Sequence, residues 1–88
     1  MAVQDVQTIA QLLTAAKSAH RAFEFALGTR DPDWATWYAK HMLEHGLQTT
    51  ASEQGLSALL TQADSSFRLL TEPTEWVQFI AQALSETI

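Results

Sequence analysis

Apolar side chains recur at steps of three and four along the first part of the chain, the spacing of one face of an α-helix. The predicted face comprises Val6, Ile9, Leu13, Ala16, His20, Phe23 and Leu27. Asp5 or Thr8 can cap the start of this helix, and Gly28 suits the left-handed residue that commonly follows a helix end. The pattern therefore predicts a first helix over residues 6–27.

Three more helices are predicted from start and stop signals. Asp31-Pro32-Asp33 places a capping side chain, a proline and an acid where a helix N-terminus favours each of them. This second helix runs to about His45 and is closed by Gly46. A third is predicted after Ser52 and a fourth from Pro73, because apolar residues at helical spacing follow each of them.

The two halves of the chain resemble each other. Leu12, Leu13, Thr14, Ala16, Ser18 and Arg21 recur as Leu59, Leu60, Thr61, Ala63, Ser65 and Arg68, at an offset of 47. Trp34, Trp37 and Ala39 recur as Trp76, Phe79 and Ala81, at an offset of 42. We interpret residues 1–88 as a single domain of two similar helical hairpins, approximately 6–46 and 52–88. Because short connections favour antiparallel neighbours, the predicted fold class is all-α, an antiparallel four-helix bundle.

Charge and composition exclude several classes of partner and chemistry. Ten acids oppose five scattered bases, which disfavours nucleic acid, and the last 17 residues carry acids and no base, which disfavours an anionic membrane surface. The absence of cysteine rules out disulfides, thiolate metal sites and thiol catalysis. The N-terminal residues lack the pattern of a signal peptide. We expect a soluble cytoplasmic protein with no nucleic-acid or membrane partner.

The three histidines form the candidate chemistry of the chain. At 100° per residue, all three are predicted to face inward, and His20 and Tyr38 should stand at similar depth in the first hairpin. Glu24 lies one helical turn after His20, and His45 lies one turn after His41. The candidate ligand-binding residues are His20, Glu24, Trp34, Tyr38, His41 and His45.

Two interpretations of these histidines remain open. Imidazoles four residues apart on a helix can share a metal, and helical bundles hold metal or organic ligands between facing helices. The alternative, which we favour, is that the rings fill core volume and hydrogen-bond to Glu24 or Tyr38, because His20 aligns with Phe67 and His41 with Ala83 in the repeat. No cofactor or metal is therefore assigned.

Two other surfaces are candidates for packing contacts. Phe25 falls on the polar side of the first helix, so some aromatic surface should remain exposed, as is common at protein interfaces. Ala15, Ala19, Ala22 and Ala26 form a smooth edge on the same helix. That edge packs either against the third or fourth helix of the chain or against another molecule.

The string Asp31-Pro32-Asp33-Trp34, followed by Trp37-Tyr38-Ala39, reads D-P-D-W-x-x-W-Y-A. With His20 and Glu24 before it, this string resembles a pattern in a family of short, uncharacterised helical proteins of bacteria. The resemblance covers roughly the first half of the chain and implies a bacterial origin. It attaches no mechanism to any residue.

No enzyme signature is present in the sequence: there is no glycine-rich phosphate loop, no G-x-S-x-G, no H-E-x-x-H and no close inward pair of carboxylates. We therefore predict a non-catalytic interaction or assembly module that self-associates or binds a protein partner. One alternative is a small-molecule or metal-binding protein with a site between the first two helices. A second is an accessory subunit of an enzyme.

Overall fold

The computed structural model describes residues 5–49, 51–71 and 74–87, which contain four α-helices. They are α1 (Val6–Leu27), α2 (Trp34–Glu44), α3 (Glu53–Arg68) and α4 (Trp76–Thr87). α1 and α3 each pack against both α2 and α4, so the helices close into a bundle. The predicted all-α four-helix fold is confirmed. Among the described residues, no helix has the length and apolar character that a bilayer crossing requires.

The ends of α1 and α3 follow from local capping chemistry. The Asp5 carboxylate accepts a hydrogen bond from the Thr8 backbone N–H at 2.8 Å, and Gly28 adopts the left-handed conformation with φ 83°. The Ser52 hydroxyl accepts the backbone N–H of Gly55 at 3.0 Å. The predicted caps are therefore confirmed, and the predicted bounds of α1 match the structure.

The start of α2 differs from the prediction. The helix begins at Trp34, so Pro32 lies before it, and Asp33 occupies the N-cap without a side-chain hydrogen bond. Instead, Asp31 Oδ1 accepts the backbone N–H of Asp33 at 2.9 Å, while Asp31 Oδ2 lies 3.1 Å from His20 Nε2. The Asp31 carboxylate therefore binds both the turn backbone and the His20 ring, and the regular helix starts two residues later than predicted.

The start of α4 also differs from the prediction. Pro73, the predicted first residue, lies outside the described residues. α4 begins at Trp76, and its first backbone hydrogen bond runs from Phe79 N–H to the Glu75 carbonyl at 3.0 Å.

Buried residues occupy equivalent positions in the two halves. In α1 and α3, the buried pairs at the offset of 47 are Ile9 and Leu56, Leu13 and Leu60, and Ala16 and Ala63. In α2 and α4, the buried pairs at the offset of 42 are Tyr38 and Ile80, Ala39 and Ala81, and Met42 and Leu84. Helices with the same buried positions fill the space between them in the same way. The duplication itself stays a prediction.

The alanine edge of α1 lies at the surface. Ala15, Ala22 and Ala26 are exposed and Ala19 is half-buried. Neither α3 nor α4 covers this edge, so of the two alternatives left open the structure does not show packing within the chain. The reason is the order of the helices around the bundle: α1 packs against α2 and α4 with other faces, and α3 lies diagonally across from it.

Candidate functional site

An open cleft of about 900 Å³ lies at the end of the bundle where α1 and α3 finish and α2 and α4 begin. Its lining residues are Lys17, His20, Glu24, Arg30, Asp31, Pro32, Trp34, Tyr38, Asp64, Phe67, Arg68 and Trp76. All four helices and the α1–α2 turn contribute to it. We call this end of the molecule the cleft end.

His20 is the central polar group of the cleft. It is only 5% exposed, and its two ring nitrogens lie beside two carboxylates: Nε2 is 3.1 Å from Asp31 Oδ2, and Nδ1 is 3.9 Å from Glu24 Oε1. An ionised carboxylate only accepts, so Nε2–H donates to Asp31. Glu24 in turn accepts the backbone N–H of Asp31 at 2.8 Å. The hydrogen bond from His20 is the largest cause that holds the pKa of the Asp31 carboxyl below its ordinary value.

Aromatic rings surround the His20 imidazole. The ring centroids of Trp37, Tyr38 and Phe23 lie 4.9, 5.2 and 5.8 Å from it. The contact with Tyr38 agrees with the similar depth expected for the two residues. Burial of the Tyr38 phenol, assisted by the negative charge of Glu24, raises its pKa to about 12, although Arg21 opposes the shift.

Three aromatic rings meet at the centre of the cleft end. The centroids of Trp34 and Tyr38 are 5.4 Å apart, those of Trp34 and Trp76 are 6.0 Å apart, and those of Tyr38 and Trp76 are 5.9 Å apart. Their planes cross at 65° to 87°, the edge-to-face arrangement that aromatic quadrupoles favour. Trp34 and Trp76 are equivalent in the repeat, so the two halves of the chain meet here.

Asp64 joins α3 to α4 on the other side of the cleft. Its Oδ1 accepts the indole N–H of Trp76 at 2.9 Å, and its Oδ2 accepts Arg68 Nε–H at 2.8 Å. The hydrogen bond that Arg68 donates to Asp64 raises the pKa of its guanidinium. Both oxygens of this carboxylate are therefore occupied by groups of the protein itself.

His41 and His45 lie outside the cleft. Their rings stack at 4.0 Å, and the outer face of His41 stacks on Trp37 at 5.2 Å. His45 Nδ1 lies 2.7 Å from the backbone carbonyl of His41, to which it donates. Parallel stacked rings do not direct their nitrogens to a common point, so this pair lacks the geometry to share a metal ion.

The inward orientation predicted for all three histidines is wrong for His45, which is exposed. His45 follows the last residue of α2 and has φ −105° and ψ 15°, so the helical angle used to place it no longer applies. His41 is half-buried, and within the described residues its Nδ1 is buried without a hydrogen-bond partner. Burial, followed by the neighbouring imidazole of His45, lowers the pKa of His41 against a smaller opposing effect of Glu44.

Four of the six candidate residues come together in the cleft: His20, Glu24, Trp34 and Tyr38. The site was expected between the first two helices, whereas the cleft also uses the second hairpin through Asp64, Phe67, Arg68 and Trp76. The alignment of His20 with Phe67 and of Trp34 with Trp76 was the available signal for these residues. In the part of the chain that the structure describes, no group of three or more acidic or histidine side chains is arranged to hold a metal.

The chain matches no protein-family model, no curated protein and no solved structure. The functional argument therefore depends on the geometry and charge of the cleft end. The resemblance of the D-P-D-W string to bacterial proteins stays a prediction.

Proposed function

We propose that this protein is a small non-catalytic interaction module that self-associates through its cleft end. The observation that carries the proposal is the position of the exposed apolar side chains. Among the described residues, the exposed large hydrophobics are Phe23, Phe25, Leu27, Leu69 and Leu70. All five belong to the last turns of α1 or to the two residues that follow α3, and so to the cleft end.

The degree of exposure supports an interface. Phe25 is 90% exposed and Leu69 is 82% exposed, which is unfavourable for a chain that stays alone in water. Single exposed apolar residues are ordinary in monomers, but a concentration of them at one end of a small domain is typical of an interaction surface. Covering one such side chain completely is worth about 1.5–3 kcal/mol.

Charge is compatible with a second copy of the chain as the partner. The lining of the cleft contains equal numbers of acids and bases: Glu24, Asp31 and Asp64 against Lys17, Arg30 and Arg68. This lining carries no formal net charge, so like charge does not keep apart two copies that present the same end to each other. The opposite end of the bundle has exposed acids at its four helix termini, Asp5, Glu44, Glu53 and Glu86. Two copies that met there would repel each other.

The state of the polar groups supports a non-catalytic role. The His20 ring is buried and hydrogen-bonded to Asp31, and both oxygens of Asp64 accept bonds from neighbouring side chains. A general base or nucleophile needs a free atom within reach of a substrate. The proposal includes a cytoplasmic location, which the cysteine-free sequence supports. It also includes a bacterial origin, which the D-P-D-W string supports.

Sedimentation velocity from micromolar to millimolar chain concentration tests the proposal. We expect the average mass to rise with concentration, and the double variant Phe25→Ser with Leu69→Ser to remain monomeric. Both side chains are exposed, so the variant should keep the helical circular dichroism of the parent protein. A parent chain that stays monomeric at millimolar concentration would contradict the proposal.

A variant on the alanine edge serves as the matched control. Ala15 is exposed on α1 but lies away from the cleft end, and Ala15→Glu adds a charge without a cavity. This variant should associate like the parent. Dissociation of Ala15→Glu, with association retained in the Phe25→Ser and Leu69→Ser variant, would place the interface on the alanine edge instead.

A further inference from the structure

The cleft combines basic side chains that have free N–H donors with aromatic surface. Three of the five bases of the chain line the cleft, whereas only three of its ten acids do so. Two smaller pockets of the described residues differ from it: one is lined by no charged residue and the other by a single acid, and neither is lined by an aromatic ring. Of these three, the cleft has the chemistry to select a charged ligand.

The acids of the cleft are engaged by the protein itself. Glu24 accepts the backbone N–H of Asp31, and Asp31 accepts bonds from His20 and from the backbone of Asp33. Asp64 is engaged in the same way by Trp76 and Arg68. A carboxylate whose oxygens already accept such hydrogen bonds attracts a further cation less than a free one does.

The bases of the cleft are available. Lys17 and Arg30 are exposed, and neither forms an ion pair with any described residue. Arg68 uses Nε for Asp64, which leaves the two terminal nitrogens of its guanidinium as donors toward the cleft. The cleft lining is formally neutral, with three acids against three bases, but the polar atoms left to a ligand are the N–H donors of the bases.

The aromatic residues supply flat surface beside these charges. Trp34 and Trp76 are half-buried, and their rings cross at 65°, so part of each indole remains open to the cleft. The cleft volume of about 900 Å³ is in the range that holds a small organic molecule.

We infer that the cleft binds a planar organic anion, an aromatic carboxylate, whose ring packs on Trp34 and Trp76 and whose charge is bound by the exposed bases of the lining, Lys17 and Arg30. The ring contributes apolar contact and stacking, and the carboxylate accepts charge-assisted hydrogen bonds. The five exposed apolar residues of the proposed interface do not line the cleft, but they lie at the same end of the bundle, so the ligand is tested at low chain concentration.

Three probes of one shape and different charge test the inference: naphthoate, the neutral naphthamide and the cationic naphthylmethylammonium. Each is titrated into nitrogen-labelled protein while the three indole N–H signals are followed by NMR. We expect naphthoate to bind most tightly and to shift the signals of Trp34 and Trp76. Trp37 does not line the cleft, so its signal should move least and serves as the internal reference.

Charge variants locate the anion. Lys17→Gln and Arg30→Gln should each weaken naphthoate about fivefold, the upper end for exposed ion pairs, and leave naphthamide unchanged. Lys40→Gln is the matched control, because Lys40 is exposed on α2 and does not line the cleft. Equal binding of acid and amide, tighter binding of the cation, or no shift with any probe would each overturn the inference. All of these outcomes can be measured at micromolar chain concentration, so the ligand titration and the sedimentation test can fail separately.

Discussion

His20 and Asp31 are eleven residues apart in the chain, and a 3.1 Å hydrogen bond joins their side chains. The bond connects the interior face of α1 to the turn before α2. Because Glu24 accepts the backbone N–H of Asp31 from the same side, both the side chain and the backbone of Asp31 are held. This arrangement positions the wall of the cleft formed by the α1–α2 turn.

Asp31→Asn should lower the melting temperature at neutral pH. It should also reduce the further decrease in melting temperature that acid causes. The pKa of Asp31 is held below 3.8 in the folded chain, so its contribution is complete above that pH and is lost as pH falls through the folded-state pKa. Thermal melts from neutral to strongly acidic buffer measure this. Asp33→Asn is the control, since the Asp33 side chain makes no capping bond. Identical acid sensitivity in the parent and Asp31→Asn would contradict the assignment.

Tyr38 should ionise near pH 12 instead of near 10. It is the one tyrosine of the sequence, so ultraviolet absorbance titration reports it directly. The folded state favours the neutral phenol, so stability falls as pH rises from the unfolded-state value of about 10 toward 12. Glu24→Gln should lower the midpoint, because it removes a negative charge. A midpoint near 10 in protein whose circular dichroism is still that of the folded chain would show that the phenol is solvated.

His41 should make the chain less stable in mild acid. The pKa of His41 in the folded chain lies below 6.5, so the unfolded chain binds the proton more readily. The contribution of the neutral His41 ring to the free energy of unfolding is fully present above pH 6.5 and is lost as pH falls toward the folded-state pKa. His41→Phe keeps a ring on Trp37 and removes both this dependence and the buried Nδ1 without a partner, which should add about 1 kcal/mol at neutral pH.

The control for His41 is its stacked neighbour. His45→Gln removes the imidazole whose charge opposes protonation of His41, so the midpoint of the His41 ring signals in proton NMR should rise. A midpoint of His41 at or above 6.5 in the parent chain would contradict the burial argument.

Trp76→Phe should lower the free energy of unfolding by about 2 kcal/mol, because it removes the indole donor to the Asp64 carboxylate. Urea denaturation followed by circular dichroism measures the loss. Trp34→Phe is the matched variant: Trp34 is equivalent in the repeat, and it contacts the rings of Tyr38 and Trp76. If both variants lost the same amount, the bond to Asp64 would contribute nothing beyond ring packing.

Local signals were sufficient to predict the helices. Asp5 and Gly28 define the ends of α1 through hydrogen bonds and backbone conformation within a few residues, so its bounds could be predicted from the sequence. The start of α2 was not predicted: it lies two residues after Pro32, and the Asp31 carboxylate divides its oxygens between the Asp33 N–H and His20, a residue of α1. Propensity rules describe competition among neighbours in sequence and are silent on such a contact.

Only some of the cleft residues could be predicted from the sequence, for a related reason. Helical angles place His20, Glu24 and Tyr38 on facing sides of one hairpin, but they say nothing of how a second hairpin approaches. Asp64 and Trp76 enter the site through that approach. His45 shows the converse error, since it lies one residue beyond the helix whose angles were used to place it.

The contact between Trp34 and Trp76 bears on how such a chain can arise. If the two hairpins are copies, a two-fold axis would exchange them, and equivalent residues that touch each other lie beside that axis. A shorter ancestor with one hairpin, pairing with its own copy, would already have had this contact. In that ancestor every substitution would appear on both sides of the axis. Fusion into one gene would release that constraint, so a histidine could then occupy a position on one side and a phenylalanine the corresponding position on the other.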